Sequence, residues 1–134
     1  MQGSIGSRKS GQGYFFEDFH IGRHFRHATA RTVTDGDASL YIALTGARQP
    51  VYCSTPLSRT LGYRDRPIDD FLLFNMAFGK TVPDISANAI ANLGYADVRF
   101  LCPVYAGDTI TAESDVIGLR ETSRGDSGVV YVRS

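Results

Sequence analysis

Residues 66–82 read RPIDDFLLFNMAFGKTV, and the interpretation of this stretch decides the fold. Pro67 and the Asp69-Asp70 pair supply a helix start, because proline is tolerated in a first turn and an acidic side chain there accepts from unpaired backbone N–H groups. Gly79 and Lys80 supply the stop. Between them Phe71, Leu72, Leu73, Phe74, Met76, Ala77 and Phe78 leave hardly a polar face, and a helix that is apolar all round is expected to be buried. Asn75 is the sole polar side chain inside it. A buried amide without partners costs about 1–3 kcal/mol, so Asn75 is expected to be satisfied, either as a structural residue or as an active-site contact.

Upstream, DASLYIALTG over residues 37–46 gives a short helix, with Asp37 as the candidate cap, Leu40, Tyr41 and Leu44 as its apolar residues and Gly46 as its end. TPLSRTLGY, residues 55–63, gives a second. Between them LTGARQPVYCS, residues 44–54, has the Thr-Gly turn of an active-site loop and a Pro50 expected to fix an extended segment.

Downstream the period switches to two. LGYADVRFLCPVYAGD, residues 93–108, sets Tyr95 on a face that resumes at Val98, Phe100, Cys102 and Val104, and DTITAESDVIG alternates Ile110, Ala112, Ser114 and Val116 against Thr109, Thr111, Glu113 and Asp115. These read as half-buried antiparallel strands joined through Ala106-Gly107-Asp108, with RGDSG turning the chain into GVVYVRS. An apolar helix followed by such strands predicts an α+β fold in which an antiparallel sheet wraps a central buried helix. Arg124-Gly125-Asp126 is what a hairpin loop requires and does not need a reading as an adhesion signal.

The amino-terminal end is different. MQGSIGSRKSGQG has almost nothing to bury and is expected to be a disordered leader over residues 1–13, with one domain over residues 14–134. His20, His24 and His27 follow within a run of β-formers. They are expected to be surface and loop imidazoles rather than a metal site, so no metal and no cofactor is expected.

Composition agrees with one modest globular core: 134 residues, 43% hydrophobic, with 14 basic side chains balanced by 14 acidic ones. That balance gives no footprint for nucleic acid, and no apolar run approaches the roughly 18 residues a membrane span needs. The expected partner is a small molecule or another protein chain, and the expected location is cytoplasmic. Cys53 and Cys102 lie far apart and are read as reduced thiols.

ATARTVTDGDASLYIALTG, PIDD, FGKTVPDIS, NAIANLGYADVRFLCPVYAGDTI and VIGLRETS…GVVYVRS together resemble the MaoC-like hydratase family, which has the hotdog fold. Within it they resemble the amino-terminal half of the mesaconyl-CoA hydratase branch. The resemblance runs from about residue 14 to residue 134 and implies a tunnel for a thioester-linked acyl chain between two hotdog units. It also implies one further strand after GVVYVRS, so the chain is expected to be carboxy-terminally incomplete or to complete its sheet with another chain, as a homodimer or beside a second hotdog domain.

In active members the loop after the first helix carries Gly-Asp-x-Asn-Pro-Leu-His, whose Asp and His handle the water that adds to an enoyl-CoA. Hydration needs one group to take a proton from the attacking water and another to deliver one to the adjacent carbon. Laid on this chain, the motif falls on residues 46–52: Gly46 and Pro50 match, Gln49 approximates the amide, and Ala47 and Tyr52 stand where the acid/base pair would be.

Three readings follow. The chain is part of an acyl-CoA hydratase/dehydratase acting on a thioester such as mesaconyl-CoA, with another hotdog supplying the pair; or it uses Asp70, Asp69 and Tyr52 for the chemistry; or it is a non-catalytic acyl-CoA binder or thioesterase on the same scaffold. Candidate substrate-binding residues are Arg48, Gln49, Tyr52 and Asn75, with Arg48 aimed at a remote substrate carboxylate. The plain alternatives are helix capping for Asp69 and Asp70, packing for Tyr52 and a solvated turn for Arg48.

Overall fold

The computed structural model describes residues 13–134, so the leader lies, apart from Gly13, outside the described residues. The chain forms two compact units. One comprises Ala28–Lys80 and Gly94–Ala112; the other comprises the described part of Met1–His27 together with Thr81–Leu93 and Glu113–Ser134.

The first unit holds the helices α1 (Asp35–Thr45), α2 (Pro50–Cys53), α3 (Thr55–Thr60) and nearly all of α4 (Asp70–Thr81). A short antiparallel ladder joins its strands β2 (Arg31–Thr32) and β3 (Thr109–Ile110). The cap of α1 lies three residues earlier than its sequence signal at Asp37. Thr34 is the cap: its hydroxyl accepts from the Asp37 N–H at 3.1 Å while the Asp37 carboxylate accepts from the Thr34 N–H at 2.9 Å. Each residue thus satisfies a donor of the other, the reciprocal arrangement that fixes a helix start. The Thr34 hydrogen bonds, with help from the Arg31 guanidinium, hold the Asp37 carboxyl below its ordinary range.

The core of this unit is Val33, Ala38, Ile68 and Leu73, with Leu72, Met76, Val104 and Ile110 packed against it. The α1 residues expected to be inward, Leu40 and Leu44, are exposed instead, and Ala38 is the buried one. Pro50 does not extend the chain but opens α2, where its missing N–H leaves no bond unmade.

The all-round burial expected of α4 is corrected too. Leu73 is buried, but Phe71 is 65% exposed and Asn75 is exposed. The cause lies in residues 93–104, expected to be a strand. They form no ladder in this structure: Asp97 takes a left-handed conformation (φ 54°) that interrupts the extended run. The segment meets α4 through rings, Phe100 edge-on to Phe71 at 6.3 Å and Tyr95 edge-on to Phe74 and Phe78 at 4.9 and 5.5 Å, with Val104 at its end packed on the core that includes Leu73.

The second unit is an antiparallel sheet of β1 (His24–Arg26), β4 (Glu113–Glu121) and β5 (Gly128–Arg133), in the order β1-β4-β5. β4 and β5 form the hairpin expected at RGDSG, closed by Thr122 N–H donating to Ser127 O at 3.0 Å, with Gly125 in the left-handed region. Val116 pairs with Val132 and Gly118 with Tyr131, leaving Ile117 as an extra residue in a bulge. Phe19, Phe25 and Val116 form the core, backed by Tyr14, Ile85, Leu119, Val130 and Val132. The Arg23 guanidinium lies over the Tyr14 and Phe25 rings at 4.2 and 4.6 Å. Val82–Ser86 forms a π-helical turn directly after α4.

The histidine expectation needs correcting here. His20 and His24 are exposed, but the His27 side chain is completely buried.

The two sides of α4 should differ in energetic weight. Leu73→Ala is expected to cost about 2–5 kcal/mol, the range for truncating a core leucine. Phe71→Ala should cost about 1 kcal/mol, the scale of one edge-to-face aromatic pair. Urea denaturation of the two variants checks this, and equal losses would contradict the one-sided burial.

Candidate functional site

Gly46 ends α1 in the left-handed conformation (φ 66°), its N–H donating to Ile42 O at 3.0 Å. Only a residue that adopts positive φ without strain ends a helix cheaply in this way. The loop from Gly46 to α2 is held by short-range hydrogen bonds: Ala47 N–H donates to the Thr45 hydroxyl at 3.3 Å, Tyr52 N–H to Gln49 O at 3.0 Å, and the Cys53 thiol to Ala47 O at 3.5 Å. Cys53 and Cys102 are both free and exposed.

α4 is aimed from its other end. Ile68, buried, donates its N–H to Val104 O at 2.8 Å, and the adjoining Asp69 places its carboxylate on the N–H groups of Phe71 and Leu72 at 2.8 and 3.4 Å. Asp69 is therefore the helix cap, and its negative charge also suits the positive end of the helix dipole.

These two constructions bring Tyr52 to Asp70. The phenol donates to the Asp70 carboxylate at 2.8 Å in a partly buried setting. Burial, the hydrogen bond to Asp70 and the charges of Asp70 and Asp69 push the Tyr52 phenol well above the ordinary tyrosine range. Tyr41 is raised as well, by burial and then by Asp69. Tyr52 is thus a persistent donor and cannot serve as a base near neutrality. Arg66, whose side chain is 19% exposed, fixes the backbone beneath it, donating to Tyr52 O at 3.3 Å and to the Asp35 carboxylate at 3.2 Å. No sequence signal announces this clamp, since Arg66 and Asp35 lie 31 residues apart.

The other candidates are not joined to this pair. Arg48 and Gln49 are exposed, and no hydrogen bond or ion pair of the Arg48 side chain is made among the described residues. Asn75 donates to Phe71 O at 2.8 Å, within its own helix. It is satisfied as expected, but at the surface.

Solved structures identify this architecture. Over 94% of its length the chain superposes on a MaoC domain protein from Chloroflexus aurantiacus with a TM-score of 0.89 and 55% identity, covering 36% of that chain. A Mycobacterium tuberculosis protein with a double hotdog fold matches over 90% of this chain and 38% of its own, with a TM-score of 0.82 and 25% identity. The fold is the hotdog, α+β with a central helix and antiparallel strands. The family model for mesaconyl-CoA hydratase matches residues 6–134, and the chain belongs to that family. It is 55% identical to the β-methylmalyl-CoA dehydratase of Chloroflexus aurantiacus over 96% of its length, and 52% identical to the mesaconyl-CoA hydratase of Cereibacter sphaeroides over 94%. It spans only 36% and 37% of those relatives. No helix among the described residues is long and apolar enough to cross a membrane.

The raised Tyr52 has a signed consequence for stability. A phenol whose folded pKa lies above its unfolded value of about 10 contributes stability that is complete below that pH and is lost as pH rises through the interval above it. Denaturant midpoints measured from neutral to strongly alkaline pH should fall more steeply for the native chain than for Tyr52→Phe. Parallel curves would show that Tyr52 ionises alike in both states.

Proposed function

We propose that this chain is a hotdog unit of an acyl-CoA hydratase/dehydratase, working on a thioester such as mesaconyl-CoA, in which it lines the acyl tunnel while another hotdog supplies the acid/base pair. The supporting observation is the Tyr52–Asp70 hydrogen bond. Where the family resemblance sets a proton-carrying histidine, this chain holds a phenol that is harder to ionise than usual and already spent on a carboxylate. With Ala47 at the other position, the loop lacks the family's pair for exchanging protons with water. The thioesterase alternative is weaker, since it requires the Asp70 carboxylate to be free for the thioester. The second hotdog is a homodimer partner or a further domain, and the setting is cytoplasmic.

Purified chain offered mesaconyl-CoA and crotonyl-CoA should bind without appreciable turnover, because each missing proton transfer is worth about 10² to 10⁴ in rate. Loss of the conjugated thioester's absorbance is the readout. Turnover at the rate of an ordinary hydratase, abolished by Asp70→Asn, would instead favour catalysis by Tyr52 and Asp70.

Arg48 is the substrate-reading residue in this proposal. Exposed and without a hydrogen-bond or ion-pair partner among the described residues, it is available to pair with the carboxylate of a dicarboxylic acyl group. Arg48→Ala should weaken binding of mesaconyl-CoA by about 1.5–3 kcal/mol, the scale of hydrogen bonds to charged groups, and leave crotonyl-CoA almost unaffected. Titration calorimetry with both ligands decides it, and equal losses would remove Arg48 from the site.

A further inference from the structure

His27 has no part in the site described above, yet it is the most completely enclosed titratable side chain of the sheet unit. Its Nδ1 lies 2.7 Å from the Asp84 carboxylate on the π-helical turn, and its Nε2 lies 2.8 Å from the Ser114 hydroxyl on β4. Ser114, itself 1% exposed, continues to the hydroxyl of Ser134 at 2.7 Å, which is exposed. Phe25 lies parallel to the imidazole with ring centres 6.3 Å apart. Four side chains from β1's end, the turn, β4 and the residue after β5 thus make one hydrogen-bonded row from Asp84 to solvent.

The direction of that row is dictated by chemistry. An ionised carboxylate only accepts, so Nδ1 carries a proton, and Nε2 of a neutral ring must then accept from Ser114. Ser134 in turn donates to Ser114. When the ring takes up one proton from water, Nε2 becomes a donor, Ser114 turns to accept from it and donates to Ser134, and Ser134 donates to solvent. Every buried group is satisfied in both states. The cost of an unpaired buried donor or acceptor, about 1–3 kcal/mol, arises in neither. Meanwhile the bond to Asp84, already charge-assisted by the ionised carboxylate, gains a charge on its donor side and becomes an ion pair.

We propose that the Asp84–His27–Ser114–Ser134 row is a proton-operated clasp, which tightens the turn Val82–Ser86 onto β1 when the ring takes up its second proton. Among the described residues Asp84 is the only titratable side chain bonded to the ring. The neighbouring charges are engaged elsewhere: Glu113 with Arg26 at 3.1 Å, and Asp115 with His24 at 2.8 Å.

Amide hydrogen exchange of residues 82–86 in the full chain, corrected for the intrinsic rate and measured from about pH 8 to about pH 5.5, tests the clasp. Protection of the turn should rise about two- to fivefold on acidification, the scale of a partly exposed ion pair, and nitrogen NMR of the ring should show the Nδ1–H form giving way to the doubly protonated one. Asp84→Asn should flatten the dependence. Ser114→Ala should reverse it, since the charged ring then lacks an acceptor for Nε2–H, and Ser114→Thr should restore it. Acidification that affects the native chain and Asp84→Asn alike, or a Ser114→Ala profile of unchanged sign, would overturn the proposal.

Discussion

The start of α4 is the constraint on which the candidate site depends. Pro67, Ile68 and Asp69 are all buried, Ile68 is tied by its backbone to Val104, and the Asp69 carboxylate closes the first turn. This fixes the helix axis and its rotation at once. Asp70, the next residue, is then partly buried and committed to face Tyr52, whose own backbone is held by Arg66. Without the cap two N–H groups would be left unpaired in a partly buried place, and the reference point for the Tyr52 contact would be gone.

Much of the fold was legible because its signals are local. The hairpin at RGDSG, the glycine end of α1 and the start of α4 each follow from a residue type that has few alternatives at that position. Two adjacent acidic residues before an apolar run divide into a cap and a ligand in only one way: Asp69 takes the N–H groups, and Asp70 is released for Tyr52. The sequence could not show which side of α4 is covered, because burial depends on what lies opposite. Residues 93–104 have strand-like alternation, but the left-handed backbone at Asp97 and the lack of a ladder leave them as a ring-bearing strap.

The candidate site was legible in type and not in wiring. The loss of the acid/base pair at Ala47 and Tyr52 could be read by laying the family motif on the loop. That Tyr52 would bond Asp70 across 18 residues, or that Arg66 would reach both Tyr52 and Asp35, depends on helix packing that no spacing rule encodes. His27 was misread for the same reason. Next to two exposed histidines it looked like a third, and its partners Asp84 and Ser114 come from 57 and 87 residues away.

The bulge at Ile117 changes how β4 tolerates alteration. Before it, the even-numbered Ser114 and Val116 are buried; after it, the odd-numbered Leu119 packs on the core and Arg120 is exposed. An unbroken alternation would have carried Arg120 inward, so the extra residue works as a phase corrector between two halves of one strand. Insertions and deletions in β4 are therefore not equivalent to substitutions of the same residues. Losing Ile117 would remove the bulge and still leave Leu119 inward on a regular strand, whereas keeping the length and straightening the bulge would bring Arg120 against Phe19 and Phe25. In a family that keeps this sheet, one residue or two can separate the positions of Val116 and Leu119, the second only where the strand bulges.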